Sequence, residues 1–168
     1  MEKSEQLPKT SQPAIGEFIK LYEEIEDQYD KIISIHPAKS LSGTLETAMM
    51  AANQVNPDKI TVFDSELVSI LTSYLVIEAN RLVELGKSFE VIMNRLIEMK
   101  NRTVAFVMVE NFDNLVKSGR LSRIAGRVSK LAQIKPILKI SAAGIELERI
   151  VRTSKRALKK VETIAFDY

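Results

Sequence analysis

The sequence has no cysteine and no tryptophan, and only one histidine, His36. Without thiols there is no disulfide framework, thiolate nucleophile, cysteine zinc site or iron–sulfur cluster. A single imidazole argues against a histidine metal site and against a Ser-His-Asp triad. Aromatic residues make up 6% of the chain. No apolar run approaches the ~18 residues of a membrane span. No apolar segment follows the N-terminus, so a secretory signal is not expected. Neither a phosphate loop of the GxxxxGK[ST] type nor a GxGxxG pattern is present. These absences lead to the expectation of a soluble, cytoplasmic protein without a cofactor.

What is present is enough to fold. The 168 residues allow one domain, or one and part of a second. A composition of 45% apolar and 27% charged residues supplies a core and excludes general disorder. The net charge of +2 conceals an asymmetry. Residues 1–95 carry 9 Lys and Arg against 15 Asp and Glu, a balance of −6. Residues 96–168 carry 15 against 7, a balance of +8. A sign change of this size points to two structural units, and makes the C-terminal half the place for an anionic partner.

Hydrophobic periodicity orders the N-terminal half. Pro13 opens a helix over about 13–27, with Phe18, Leu21, Tyr22 and Ile25 on one face. The β-branched run 31–36 predicts a strand, and a loop from Pro37 to Thr44 leads into a helix near 43–55. Residues 60–64 predict a second strand. An apolar-periodic helix runs from the Ser65 junction to about Leu85, where Gly86 stops it, and another covers 88–100. Strands alternating with helices imply a parallel sheet with right-handed crossovers. Two strands are few for such a sheet, so the unit either borrows strands from the C-terminal half or belongs to a longer chain. Beyond it, 103–109 predicts a third strand and 111–117 a short helix. A helix from Leu121 carries Arg120, Arg123, Arg127 and Lys130 on one face. Residues 136–140 and 145–151 predict a hairpin turning at Gly144, and 153–165 a basic helix.

Chemistry concentrates at the carboxyl edge of the predicted sheet. Ser40, Ser42, Gly43 and Thr44 crowd the point where the first strand hands over to a helix N-terminus. Free backbone N–H groups and the positive end of the helix dipole attract carboxylate or phosphate there. The same loop also fits a serine cap and a glycine turn. Thr10-Ser11-Gln12-Pro13 is a second hydroxyl-rich helix start, and Asp64-Ser65 a third polar group, readable as the cap of the helix after it. Three such groups at one edge fit a cleft better than three separate caps. No acid–base pair is evident, and His36 at a strand end reads as a satisfied structural residue. The Arg120 face fits nucleic acid phosphates, an acidic partner or a phosphorylated ligand, although no aromatics interleave with it for base stacking.

Taken in order, these segments resemble the DegV family of bacterial fatty-acid-binding proteins, which present acyl chains to a fatty acid kinase. The resemblance rests on Thr10-Ser11-Gln12-Pro13, on Ser40-Leu41-Ser42-Gly43-Thr44 after the strand ending at His36, and on Val62-Phe63-Asp64-Ser65. It continues through Lys117-Ser118-Gly119-Arg120-Leu121-Ser122, Ile134-Lys135-Pro136-Ile137-Leu138, and the Val151-Arg152 and Lys155-Arg156-Ala157-Leu158 stretches. It implies an α/β fold, a parallel-sheet N-terminal unit (1–100) followed by part of a second, mixed α/β domain (101–168). It also implies a noncatalytic protein that holds a long-chain fatty acid in a buried tunnel. The carboxylate would lie on Thr10 and Ser42, with Ser40 the alternative to Ser42. Arg120 would couple the ligand to the kinase for acyl-phosphate formation. Nucleic acid and metal are not expected, although the basic C-terminal half leaves a nucleic-acid or acidic-partner role as the alternative. Family members are longer, with a strand before the TSQP motif and further strands after residue 168, so the resemblance implies a partial member. Ser40 and Ser118 stand where the family usually has glycine. Ser69-Ile70-Leu71-Thr72 replaces a glycine-rich helix start.

Overall fold

The computed structural model describes residues 10–110 and 134–167. Within them lie α1 (Ile15–Ile25), a 3-10 turn (Glu26–Gln28), β1 (Ile32–His36), α2 (Thr44–Val55), β2 (Ile60–Asp64), α3 (Ile70–Glu84) and α4 (Phe89–Arg102). These are followed by β3 (Ala105–Met108), β4 (Lys135–Ser141), β5 (Gly144–Val151) and α5 (Ser154–Asp167). The described residues divide into two compact units, 11–103 and those from Val104 onward, with Thr10 grouped with the latter.

In the first unit β1 and β2 are parallel, in register from Ile32 opposite Ile60 to His36 opposite Asp64. The period of two along each strand divides their side chains between two cores. Ile32, Ile60 and Val62 pack with Tyr22, Ala51 and Ala52 of the α1–α2 layer. Ile33, Ile35 and Phe63 pack with Leu67 of the loop after β2 and with Leu75, Ala79, Leu82, Ile92 and Leu96 of the α3–α4 layer. The buried stripe of α2 is Leu45, Ala48, Ala51 and Ala52, and the three alanines are 0–2% exposed. Small side chains there let α1 seat the ring of Tyr22 against α2.

Among the described residues the parallel sheet has two strands only. The C-terminal strands do not extend it; β3, β4 and β5 form an antiparallel sheet of their own. The helix expected from the Ser65 junction starts later, at Ile70. The intervening Glu66 and Ser69 both adopt left-handed backbone at φ 56°, a conformation costing roughly 1–3 kcal/mol for a non-glycine residue. A helix cannot run through either. At its other end α3 stops as the sequence predicts. Gly86 is at φ 65°, with Lys87 N–H donating to Leu82 O at 3.0 Å and Gly86 N–H to Val83 O at 2.9 Å. Ser88 then caps α4, its Oγ accepting from Val91 N–H at 3.4 Å.

In the second unit β4 is the central strand, with Pro136, Ile137, Leu138 and Ile140 buried. Val109 N–H donates to Pro136 O at 3.0 Å. The reciprocal bond cannot form, because proline has no N–H. The β3–β4 ladder therefore ends at Met108 opposite Ile137. Gly144 takes the hairpin turn at φ 110°, where a side chain would be strained. Glu110 fastens the sheet to α5, accepting from Lys135 Nζ at 2.6 Å and Ser154 Oγ at 2.9 Å. The helices expected over 111–117 and from Leu121 lie outside the described residues.

Across the α3–α4 surface, Glu78 accepts from Arg81 Nε at 2.7 Å and Arg95 Nε at 3.1 Å, and Glu98 accepts from Arg95 and Arg102. Hydrogen bonds from Arg81 and Arg95 hold the Glu78 carboxyl down at about 2, from 4.5. A depressed folded-state value means that the contribution is complete above the unfolded value and is lost as pH falls through about 2. A carboxyl NMR titration should place Glu78 near pH 2, and Arg81→Gln with Arg95→Gln should return its midpoint toward 4.5. Being surface pairs, these interactions should weaken in added salt.

Candidate functional site at the start of α2

The residues between β1 and α2 form a tight turn at the carboxyl edge of the parallel sheet. Ala38 is buried at its base, and its carbonyl accepts from Leu41 N–H at 3.0 Å and Ser42 N–H at 3.3 Å. The Ser42 hydroxyl lies 2.7 Å from that of Thr44 and accepts from Thr44 N–H at 3.3 Å. Thr47 Oγ1 donates to Gly43 O at 3.1 Å. Two hydroxyls thus sit together at the N-terminal end of α2, where N–H groups lack intrahelical acceptors and the dipole is positive. The acidic side chain in that turn, Glu46, is exposed. Hydroxyl and amide donors at a helix start are of the kind that suit an anion.

Gly43 has a second use. A Cβ there would meet the Gln12 amide, 3.0 Å from Nε2 and 3.1 Å from Cδ. Glycine thus lets the side chain of the TSQP segment lie against the loop backbone. The sequence marked both segments without revealing that Gln12 is the residue that meets the glycine. Its signal was only the position of both at helix starts on one sheet edge.

The polar groups after β2 do something other than cap α3. Asp64 Oδ1 accepts from Glu66 N–H at 2.9 Å, which turns the chain away from the strand. Ser65 is 0% exposed; its Oγ accepts from Leu67 N–H at 3.2 Å and lies 3.2 Å from Thr72 Oγ1. Its N–H donates to His36 O at 3.1 Å, and Leu67 O accepts from Ala38 N–H at 2.9 Å. The two post-strand loops are therefore joined. Lys100 reaches over the Phe63 ring and pairs with Glu66 at 2.7 Å.

His36 is satisfied, as expected. Its Nε2 lies 2.7 Å from Ser34 Oγ, which in turn lies 2.7 Å from Tyr22 OH. The Phe18 ring meets the imidazole edge-on at a centroid distance of 5.5 Å. Sequence reading missed this chain of three, although Ser34 and His36 are the only polar residues of β1 and share one face. Ser42 is half-buried and Ser40 exposed. Thr10 is exposed and grouped with the second unit. Arg120 lies outside the described residues. Among the described residues no cluster of His, Asp or Glu could hold a metal ion, and no helix is long and apolar enough to cross a membrane.

A parallel α/β unit with a hydroxyl-lined helix start, followed by an antiparallel sheet and helix, defines the class of fold. Residues 1–168 match the model of the family described as "Uncharacterised protein, DegV family". The chain belongs to the DegV family. It is 36% identical over 165 residues to a DegV domain-containing protein of Listeria innocua, covering 98% of this chain and 58% of that one. It therefore spans well under two thirds of the curated relatives it matches. A solved DegV-family structure from Thermus thermophilus, described by its fatty acid binding, is 29% identical with a TM-score of 0.86. The match covers 96% of this chain and 57% of that one. DegV of Bacillus subtilis, described as a fatty acid binding protein, is 36% identical with a TM-score of 0.82, over 95% of this chain and 57% of that one.

Burial lowers the pKa of His36 from 6.5. In the window below 6.5 the unfolded chain then binds more protons than the folded one, so stability should fall as pH drops from 6.5 through the folded-state value. An NMR titration should give a His36 midpoint below 6.5. Urea unfolding should be less stable at pH 5 than at pH 7, and His36→Gln should remove that part of the slope.

Proposed function

We propose that this chain is part of a noncatalytic carrier that binds a long-chain fatty acid, its carboxylate on the hydroxyls of Ser42 and Thr10. The supporting observation is the Ser42–Thr44 hydroxyl pair at the positive end of α2, in a family whose solved members are described as binding fatty acids. A carboxylate accepting two hydroxyl bonds gains roughly 1.5–3 kcal/mol from each. The acyl chain supplies the larger share, about 0.8 kcal/mol per buried methylene. Ser42 and Thr10 then set which end of the ligand faces outward. A nucleophilic role for Ser42 lacks support, since the His36 Nε2 is engaged by Ser34 rather than by the loop. On this reading the unit up to about residue 100 supplies the head-group loop and residues 101–168 belong to a second domain. Arg120 serves transfer, stabilising the charge that grows on the carboxylate when a kinase partner forms the acyl phosphate.

Thr10→Val with Ser42→Ala should weaken binding of a fluorescent fatty acid at least tenfold, while the far-UV spectrum and unfolding midpoint stay near those of the unmodified chain. Unchanged affinity would place the carboxylate elsewhere. Arg120→Ala should leave that affinity nearly intact and sharply slow phosphorylation of the bound fatty acid by a fatty acid kinase. A normal phosphorylation rate would remove Arg120 from the transfer step.

A further inference from the structure

The buried Ser65 hydroxyl does not cap α3, and it is bonded to Leu67 and Thr72. Its Oγ accepts from Leu67 N–H, lies 3.3 Å from Leu67 O, and pairs with Thr72 Oγ1 at 3.2 Å. Leu67 O also accepts from Ala38 N–H at 2.9 Å, and Ala38 O holds the amides of Leu41 and Ser42. A continuous path of hydrogen bonds therefore runs from Thr72 on α3 through Ser65, Leu67 and Ala38 to Ser42. The loop that carries the path is bent into left-handed backbone at Glu66 and Ser69. Such conformations persist only where surrounding contacts over-determine them. Here those contacts are the Asp64 bond to Glu66 N–H, the Lys100–Glu66 ion pair and Ser65 itself.

We propose that the Ser65–Thr72 hydroxyl pair is a positioning device for the head-group loop, fixing the direction in which Ser42 and the α2 amides face a carboxylate. This rests on the fatty-acid reading and adds to it where head-group selectivity comes from. Because Ser65 acts through Leu67 and Ala38, it should govern the preference for a charged head group rather than the affinity for the tail. Misaligned donors lose more toward a carboxylate than toward a neutral hydroxyl, since charge-assisted bonds are roughly twice as strong and all hydrogen bonds weaken with misalignment. A change that only loosened the core would weaken both ligands alike.

The test compares oleic acid with oleyl alcohol on the full chain, by displacement of a fluorescent fatty acid. Ser65→Ala should cut the acid-over-alcohol preference by about tenfold. Thr72→Val, which keeps the volume and removes the hydroxyl, should cut it severalfold, and Thr72→Ser should restore it. The apo chain supplies a second readout, in which amide exchange at Ala38 and Ser42 should speed up in Ser65→Ala and Thr72→Val, with Ala51 and Ala52 in α2 unaffected. If Ser65→Ala does not fold, Thr72→Val decides. An unmodified chain that prefers the acid, with both variants keeping the full preference, overturns the positioning role alone. An unmodified chain that binds neither probe, or does not distinguish them, overturns the fatty-acid reading and the positioning role with it.

Discussion

Parallel pairing of β1 with β2 is the constraint from which the first unit follows. A parallel pair needs a crossover, and α2 with its flanking turns provides it. The register also brings both strand ends to the same level, His36 opposite Asp64. From that level each strand must hand over to a helix, and the two turns bond to each other through Ser65 N–H to His36 O and Ala38 N–H to Leu67 O. A shift of the pairing would separate these bonds and mismatch the side chains that the two strands present to each core. The polar edge is thus a product of the register, and the Ser42–Thr44 pair inherits its place from two ladders of backbone bonds.

Packing gives the same edge its rigidity. Alanines at 48, 51 and 52 bring α2 close to α1, and this fixes the helix whose first turn carries the hydroxyls. On the opposite face Phe63 and Leu67 bury into the α3–α4 core, so the turn after β2 is anchored by an apolar side chain on either side of Ser65. A hydroxyl fully removed from water is costly unless paired. Here Ser65 and Thr72 satisfy one another and the backbone, and among the described residues no buried side-chain polar atom lacks a partner. The Tyr22–Ser34–His36 chain follows the same rule on the other side of the sheet, carrying three polar groups beside a layer of Ile, Val, Phe and Ala.

Much of this was readable from the residues. Period-two and period-3.6 patterns located each described helix and strand to within a few residues, because the faces they predict are largely the buried ones, although Leu21 of the predicted α1 face is 49% exposed. Ser42 and Gly43 stood out because their chemistry suits a helix start in any context. The start of α3 was misplaced because Glu66 and Ser69, neither of them glycine, carry no local sign of left-handed backbone. At Glu66 a local bond to Asp64 and the long-range pair with Lys100 hold the bend. The pairing of Ser65 with Thr72 depends on that same bend, so periodicity assigned Ser65 to a cap. The meeting of Gln12 with Gly43 spans thirty-one positions, and nothing in either segment names the other. Family resemblance added the expectation that Thr10 and Ser42 hold a carboxylate, where residue chemistry alone left the choice open between cap and anion site.

Pro136 has a consequence for how the second sheet assembles. Alternation of inward and outward side chains rejects any slip of β3 along β4 by one residue, but tolerates a slip by two, which keeps every side chain on its own face. Proline in the central strand removes that tolerance in one direction. A two-residue slide that drew Pro136 into the body of the ladder would oppose a strand carbonyl to a position with no donor, at about 1–3 kcal/mol for an unpaired buried group. In the native register the missing donor falls just past Met108, where the ladder has already ended. The residue thus works as an end stop. It disfavours the slide that would carry the missing donor inside the β3–β4 ladder, and so biases the pairing toward the register in which that gap lies beyond Met108.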